Sequence, residues 1–175
     1  MPLVMACLPI EKIDLHHQRP ANTCIPSAVE IILKQLGKVP IGFYLLQDGW
    51  RGSSFSDIDG KEYFGLRFKA EFTQDAYPRG PDFPLEQLLH KISNELSEGR
   101  YVVVSLRGYD SSARRWLDCY HMFVIYAEVD GEFQAVSKNG EETIRVDNVK
   151  DYFTHMGGTD ILTYSMISNN GPLDV

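Results

Sequence analysis

Cysteine is scarce in this chain: three residues, Cys7, Cys24 and Cys119, in 175. An odd, sparse set is no disulfide framework, which favours a reducing compartment or unpaired thiols. Basic residues are also short, 17 Lys and Arg against 24 Asp and Glu, for a formal net charge of -7. Binding along a phosphate backbone needs clustered Lys and Arg, so no nucleic-acid partner is expected. Arg114-Arg115 is the one basic pair of note, and it reads as part of a solvated loop. No apolar run approaches the ~20 residues that span a bilayer, so no membrane span is expected. The opening MPLVMACLPIEK has no basic segment before its apolar residues and is short for a secretory signal. The expected location is the cytoplasm, or export without a cleaved signal peptide. Low-complexity tracts and internal repeats are absent as well.

What remains is an ordinary globular balance, 43% hydrophobic and 23% charged. The length suits one domain with a real core. Ile25, Val29, Ile32, Leu33 and Leu36 recur at helical spacing after Cys24, which predicts a helix from Cys24 to Leu36. Asn22 or Thr23 is placed to cap it, Pro26 falls in the first turn, and Gly37 ends it. A short helix is expected over 41–46, then a polar loop over 49–63, then a strand over 63–72. Leu85, Leu88, Leu89, Ile92 and Leu96 predict a second amphipathic helix over 84–99.

The second half changes character. YVVVSL (101–106) reads as a buried strand, and RGYDSSARRWLD (107–118) as a loop. HMFVIYAEV and EFQAVSK flank Asp130-Gly131, a hairpin signal. ETIRV, a short helix in DNVKDYFTHM and a strand in DILTYSMI complete the chain. The expected fold is therefore α+β. A helical front, 1–99, packs on a sheet-rich antiparallel back, 100–175, within a single domain spanning 1–175.

Chemistry concentrates at four positions. Cys24 stands at a helix N-terminus, where partial positive charge lowers a thiol pKa and favours the nucleophilic thiolate. An isolated cysteine there is often only a small buried side chain, so partners must be sought. Gln18, six residues earlier, offers a side-chain amide that can donate to a carbonyl oxygen as it gains charge. Together with the Cys24 N–H it would complete an oxyanion hole. His121 opens a strand, where an imidazole can meet a helix end packed on the sheet and take the thiol proton. The following strand ends at Lys138-Asn139-Gly140, and Asn139 is the first choice to orient His121. Ser137 has the same strand parity and is the fallback; Asp147 is a third option. Cys119 and His121 form C-x-H without a second ligand pair, so no metal site and no cofactor are expected, and Cys119 reads as a packing residue. His16-His17 either lines the site or is simply exposed; His90 and His155 read as structural.

This set, taken in order, resembles the papain-like cysteine peptidases. Among them it is similar to stand-alone relatives of the bacteriocin-processing double-glycine leader peptidases. The resemblance rests on Gln18 through Cys24 and its helix, on GRYVVVSL, on HMFVIYAEVDGEF and on AVSKNG. It departs at Ile25, where the leader peptidases usually carry glycine, and at Asn139-Gly140, where they carry Asp-Pro. The resemblance implies a papain-like fold and a thiol-dependent hydrolase that cleaves a peptide or other amide bond in a peptide or protein substrate. Cys24 would be nucleophile, His121 base, Asn139 its orienting partner and Gln18 the oxyanion donor. An acyltransferase or transglutaminase-like enzyme would use the same residues. A catalytically inactive binding module is the third reading.

Overall fold

The computed structural model describes residues 2–110 and 115–167, with side chains described outside 109–119. It is an α+β protein with eight strands and four α-helices among the described residues. In chain order these are β1 (Val4–Cys7), α1 (Cys24–Gln35), α2 (Leu45–Asp48), β2 (Glu62–Tyr63), β3 (Leu66–Glu71) and α3 (Leu85–Ser97). Then come β4 (Val102–Asp110), β5 (Arg115–Val129), β6 (Glu132–Asn139), β7 (Glu142–Val146), α4 (Val149–Met156) and β8 (Ile161–Met166). All pairings are antiparallel, and the open sheet runs β2-β3-β8-β4-β5-β6-β7. β1 joins the far end of β5, with Cys7 opposite Ala127.

Two expectations about the chain's organisation need correction. The front is not wholly helical, because β3 pairs with β8 over six residues, Leu66 to Glu71. The front and back portions of the chain therefore share one sheet. The predicted loop over 107–118 is mostly strand: after a bulge between Arg107 and Tyr109 the β4–β5 ladder continues to Asp110 opposite Arg115. Each strand supplies the other's backbone partners there, and a local reading of Gly, Asp and Ser cannot see that. Arg115 thus opens β5, whereas Arg114 and the Cys119 side chain lie outside the described residues. The short helix expected over 41–46 forms slightly later, as α2.

The sheet has helices on both faces. Val103, Val124, Val136, Leu162 and Tyr164 meet α1 on one face. Val102, Val104, Leu106, Phe123, Ile125 and Ala135 meet α3 and α4 on the other. The alternation of neighbouring residues between the two cores follows from the two-residue period of a strand. Helix α1 is buried more completely than a single apolar stripe requires: Ile25 through Leu33 are all buried. Ile13, Val39, Phe55 and Ile58 cover its outer side. Burial of each large aliphatic side chain is worth roughly 1.5–3 kcal/mol, so α1 is the keystone of this face. The β5–β6 hairpin closes as expected, with Asp130 and Gly131 both at positive φ, 52° and 77°. That is the backbone of a two-residue turn matched to strand twist. On the opposite face Gly158 lies against Phe83, where a Cβ would come within 2.3 Å of the ring.

Candidate active site

Helix α1 begins at Cys24 because Thr23 precedes it in a non-helical conformation and the first helical bond runs from Ser27 N–H to the Thr23 carbonyl. Thr23 is thus the capping position, but its hydroxyl does not cap. Its single proton is shared instead between the Pro20 carbonyl, the nearer acceptor at 2.8 Å, and Gln47 Oε1 at 3.1 Å. Pro26 sits in the first turn, where a missing donor costs nothing.

The Cys24 sulfur is half-buried and packs on the α1 face of the sheet. Burial pushes its pKa up from the ordinary thiol range; backbone N–H groups of Met122, Cys24 and Ile25 pull the other way and are outweighed. The expectation that a helix N-terminus would depress this thiol is therefore corrected. The helix end does act on the sulfur, but desolvation of the charged form is larger.

Met122 is the neighbour of His121, so α1 meets β5 one residue from the expected base. The two side chains point to opposite faces. Met122 packs with the α1 core. His121 stands edge-on to Phe123, 5.7 Å between ring centroids, on the α4 face. No hydrogen bond joins His121 to Cys24 among the described residues. His121 Nε2 lies 2.9 Å from the Lys138 carbonyl oxygen. A carbonyl only accepts, so Nε2 carries the proton and the neutral ring keeps its lone pair on Nδ1. Burial lowers the His121 pKa below 6.5, partly offset by that carbonyl. Neutral thiol and neutral imidazole are thus the favoured resting forms.

None of the three side chains expected beside His121 is seen to hold its ring. Asn139 and Asp147 are exposed, and Ser137 donates its hydroxyl to the Met122 carbonyl. Asn139 does share with His121 a cavity of about 430 Å³, lined also by Phe123, Ile144 and Tyr152. A main-chain carbonyl carries no side-chain signal, so sequence reading had no means of finding it.

Gln18 is buried, 5% exposed. Its backbone N–H donates to the Gly140 carbonyl at 3.1 Å, tying the approach to Cys24 to the turn just beyond Asn139. Its amide N–H₂ does not face outward as an oxyanion donor. It donates to the carbonyls of Ala21 at 3.0 Å and Pro20 at 3.4 Å, and Oε1 is buried without a partner. The Cys24 sulfur reaches the Met122 N–H, the His121 ring the Lys138 carbonyl and the Gln18 N–H the Gly140 carbonyl, so each expected site residue lies against β5, β6 or the turn after it, with Cys24 and His121 on opposite faces.

The histidine pair divides. His17 is half-buried, whereas His16 is 1% exposed, with Nε2 2.9 Å from Ser27 Oγ and Nδ1 2.7 Å from Lys34 Nζ. An ammonium only donates, so Nδ1 accepts and Nε2–H donates to Ser27. His90 and His155 are exposed on α3 and α4, and His155 Nδ1 meets the Asp151 carbonyl. Sequence reading missed a polar cluster beneath Cys24. Glu30, fully buried on α1, accepts from the N–H groups of Leu46 and Gln47 and from Gln47 Nε2. Spaced as it is within an apolar helix, Glu30 was its only visible signal.

A second cavity, of about 340 Å³, opens on the α1 face. Ile25, Met122, Ser105 and Phe55 line it, with Arg79 and Asp160 at 3.8 Å from each other. The described residues hold no group of three or more His, Cys, Asp or Glu placed to bind a metal ion. No described helix is long and apolar enough to cross a membrane. No family model, no curated protein and no solved structure matches this chain.

Proposed function

We propose that the chain is a thiol-dependent amide hydrolase of papain-like type, with Cys24 as nucleophile and His121 as base. The observation that carries this reading is the seating of the Cys24 sulfur, at the start of a buried helix, against the backbone N–H of the residue beside His121. The Lys138 carbonyl supports it by leaving Nδ1 as the basic nitrogen. In the reaction the thiol proton passes to Nδ1 and the sulfur attacks the substrate carbonyl. The leaving amine takes the proton back, and water then releases the acid from the thioester. The imidazole and the sulfur lie on opposite faces of β5 here, so transfer of the thiol proton requires His121 to come round to the α1 face when substrate binds. The cavity lined by Ile25, the residue after the nucleophile, and by Met122 is the natural seat for a substrate side chain.

The test is turnover of a peptide library followed by mass spectrometry. Cys24→Ala and His121→Gln are each expected to lose about 10³-fold or more. Because burial lowers the His121 pKa, the acid limb of kcat/KM is expected below pH 6.5. Retention of cleavage by Cys24→Ala would sink the reading. Addition of a primary amine separates hydrolysis from acyl transfer, the latter yielding an amide product.

A further inference from the structure

Gln47 stands at the centre of the polar cluster beneath Cys24. It is 2% exposed, and its carboxamide reaches across the segment that holds Gln18. Nε2 donates to the His17 carbonyl at 2.8 Å, and Oε1 accepts from the Arg19 N–H at 2.7 Å. The backbone on both sides of Gln18 is therefore held by one side chain. Oε1 also takes a share of the Thr23 hydroxyl proton at 3.1 Å, the nearer acceptor being the Pro20 carbonyl at 2.8 Å; Thr23 is the residue immediately before the nucleophile. The second Nε2 proton goes to Glu30 Oε1 at 2.8 Å, while Glu30 Oε2 takes the N–H groups of Leu46 at 3.0 Å and Gln47 at 3.3 Å. The His17 carbonyl only accepts and the Arg19 N–H only donates, so these two backbone groups fix which end of the Gln47 amide is nitrogen, and Glu30 Oε1 takes the remaining N–H. Every donor and acceptor of the carboxamide is engaged, and none of its partners is a long, flexible surface side chain.

This arrangement differs from one built for stability alone. An apolar residue would fill the volume between α1 and the 17–23 segment at lower desolvation cost. A saturated carboxamide instead fixes three points of a loop that has no secondary structure of its own. Those points flank Gln18 and precede Cys24.

We propose that Gln47 is a positioning residue for the Cys24 turn. Oriented by the His17 carbonyl and the Arg19 N–H and anchored to Glu30, it sets the depth at which the sulfur sits against β5. The proposal rests on the reading of Cys24 as nucleophile. Removing the carboxamide is expected to free the 17–23 segment, so that the sulfur becomes more accessible to small reagents and less well aimed at a substrate.

The experiment is iodoacetamide alkylation of the full chain, read at Cys24 by peptide mass spectrometry from pH 6 to 10. Exposed Cys7 is the internal reference. In Gln47→Leu, labelling of Cys24 is expected to be about tenfold faster, with its pH midpoint lowered, while turnover of a cleaved peptide falls about 10²-fold. Thr23→Val cuts one link and keeps the shape; it should move both readouts the same way by less, and it serves if Gln47→Leu fails to fold. Ile92→Val, on the far side of the sheet, controls for lost stability and should leave the Cys24 rate within about twofold. Wild-type Cys24 labelling in Gln47→Leu, or in Thr23→Val where the former cannot be made, overturns the proposal. If labelling changes but no peptide is ever cleaved, the hydrolase reading falls and the positioning role stands. If Cys24→Ala abolishes cleavage but Gln47→Leu alters nothing, the reverse holds.

Discussion

The two faces of the sheet solve the same packing problem with different materials. Toward α3 and α4 the filling is almost wholly apolar, with Leu88, Ile92, Phe133, Val149 and Phe153 all fully buried. Toward α1 an equally deep apolar core is interleaved with His16, Ser27, Glu30, Gln47 and Lys138, each 3% exposed or less. Apolar contacts are non-directional, so they hold a face together without fixing each backbone atom. Buried polar groups cost several kcal/mol unless satisfied, so their geometry is obligatory. The directional material lies around Cys24, where the 10–23 segment has almost no regular structure to fix its path. Lys138 shows the same pattern: 1% exposed, it donates to the Glu141 carbonyl at 2.8 Å and to Thr143 Oγ1 at 2.7 Å, and Thr143 in turn reaches Asp14.

The contrast can be broken from either side. The largest expected effect is on the apolar face. Phe153→Ala should destabilise by about 3–5 kcal/mol in urea unfolding, with no change in how stability varies with pH. The polar face should respond to protons instead. Burial and the Lys34 charge hold the His16 pKa down from 6.5 to about 3. The unfolded chain therefore binds a proton that the folded one refuses between those values. Stability from this group is complete above pH 6.5 and is lost as pH falls toward 3, by on the order of 5 kcal/mol. Glu30, raised to about 7, works the other way between 4.5 and 7, because there the folded state holds the extra proton. Unfolding curves of His16→Gln at pH 7 and pH 4 separate the two; an unchanged acid limb would remove His16 as its source.

A smaller effect is expected at Ser27→Ala, which leaves His16 Nε2–H without its acceptor. A cost of about 1–3 kcal/mol should appear at neutral pH. Smallest is Asn139→Ala. The imidazole is held by the Lys138 carbonyl and Asn139 is exposed. Stability should change by less than about 0.5 kcal/mol, and any turnover by less than about tenfold. A loss as large as that of His121→Gln would restore Asn139 as the orienting group.

Several elements were legible because their signal is local. The α1 periodicity, the α3 stripe and the Asp130-Gly131 turn each express a backbone preference readable within a dozen residues, and each forms where expected. β1 was missed because it is short and has no buried residue; only its pairing with β5 makes it a strand. The continuation of β4 and β5 through Asp110 and Arg115 is likewise a property of two strands together.

The same division runs through the site. By itself the sequence determined that Cys24 opens a helix and that Asn139 ends a strand, since these are facts of periodicity and turn chemistry; it put His121 on the right strand but at its start, whereas β5 begins at Arg115 and His121 lies within it. Tertiary structure alone decided which face of β5 His121 occupies, that a main-chain carbonyl rather than an amide holds it, and that Gln18 turns its donors back on its own loop. It also decided that Cys24 is raised rather than lowered in pKa. The physical reason is common to all four. Strand register, desolvation and hydrogen-bond partnership depend on which distant segments arrive at a point, and no local pattern of residues records that arrival.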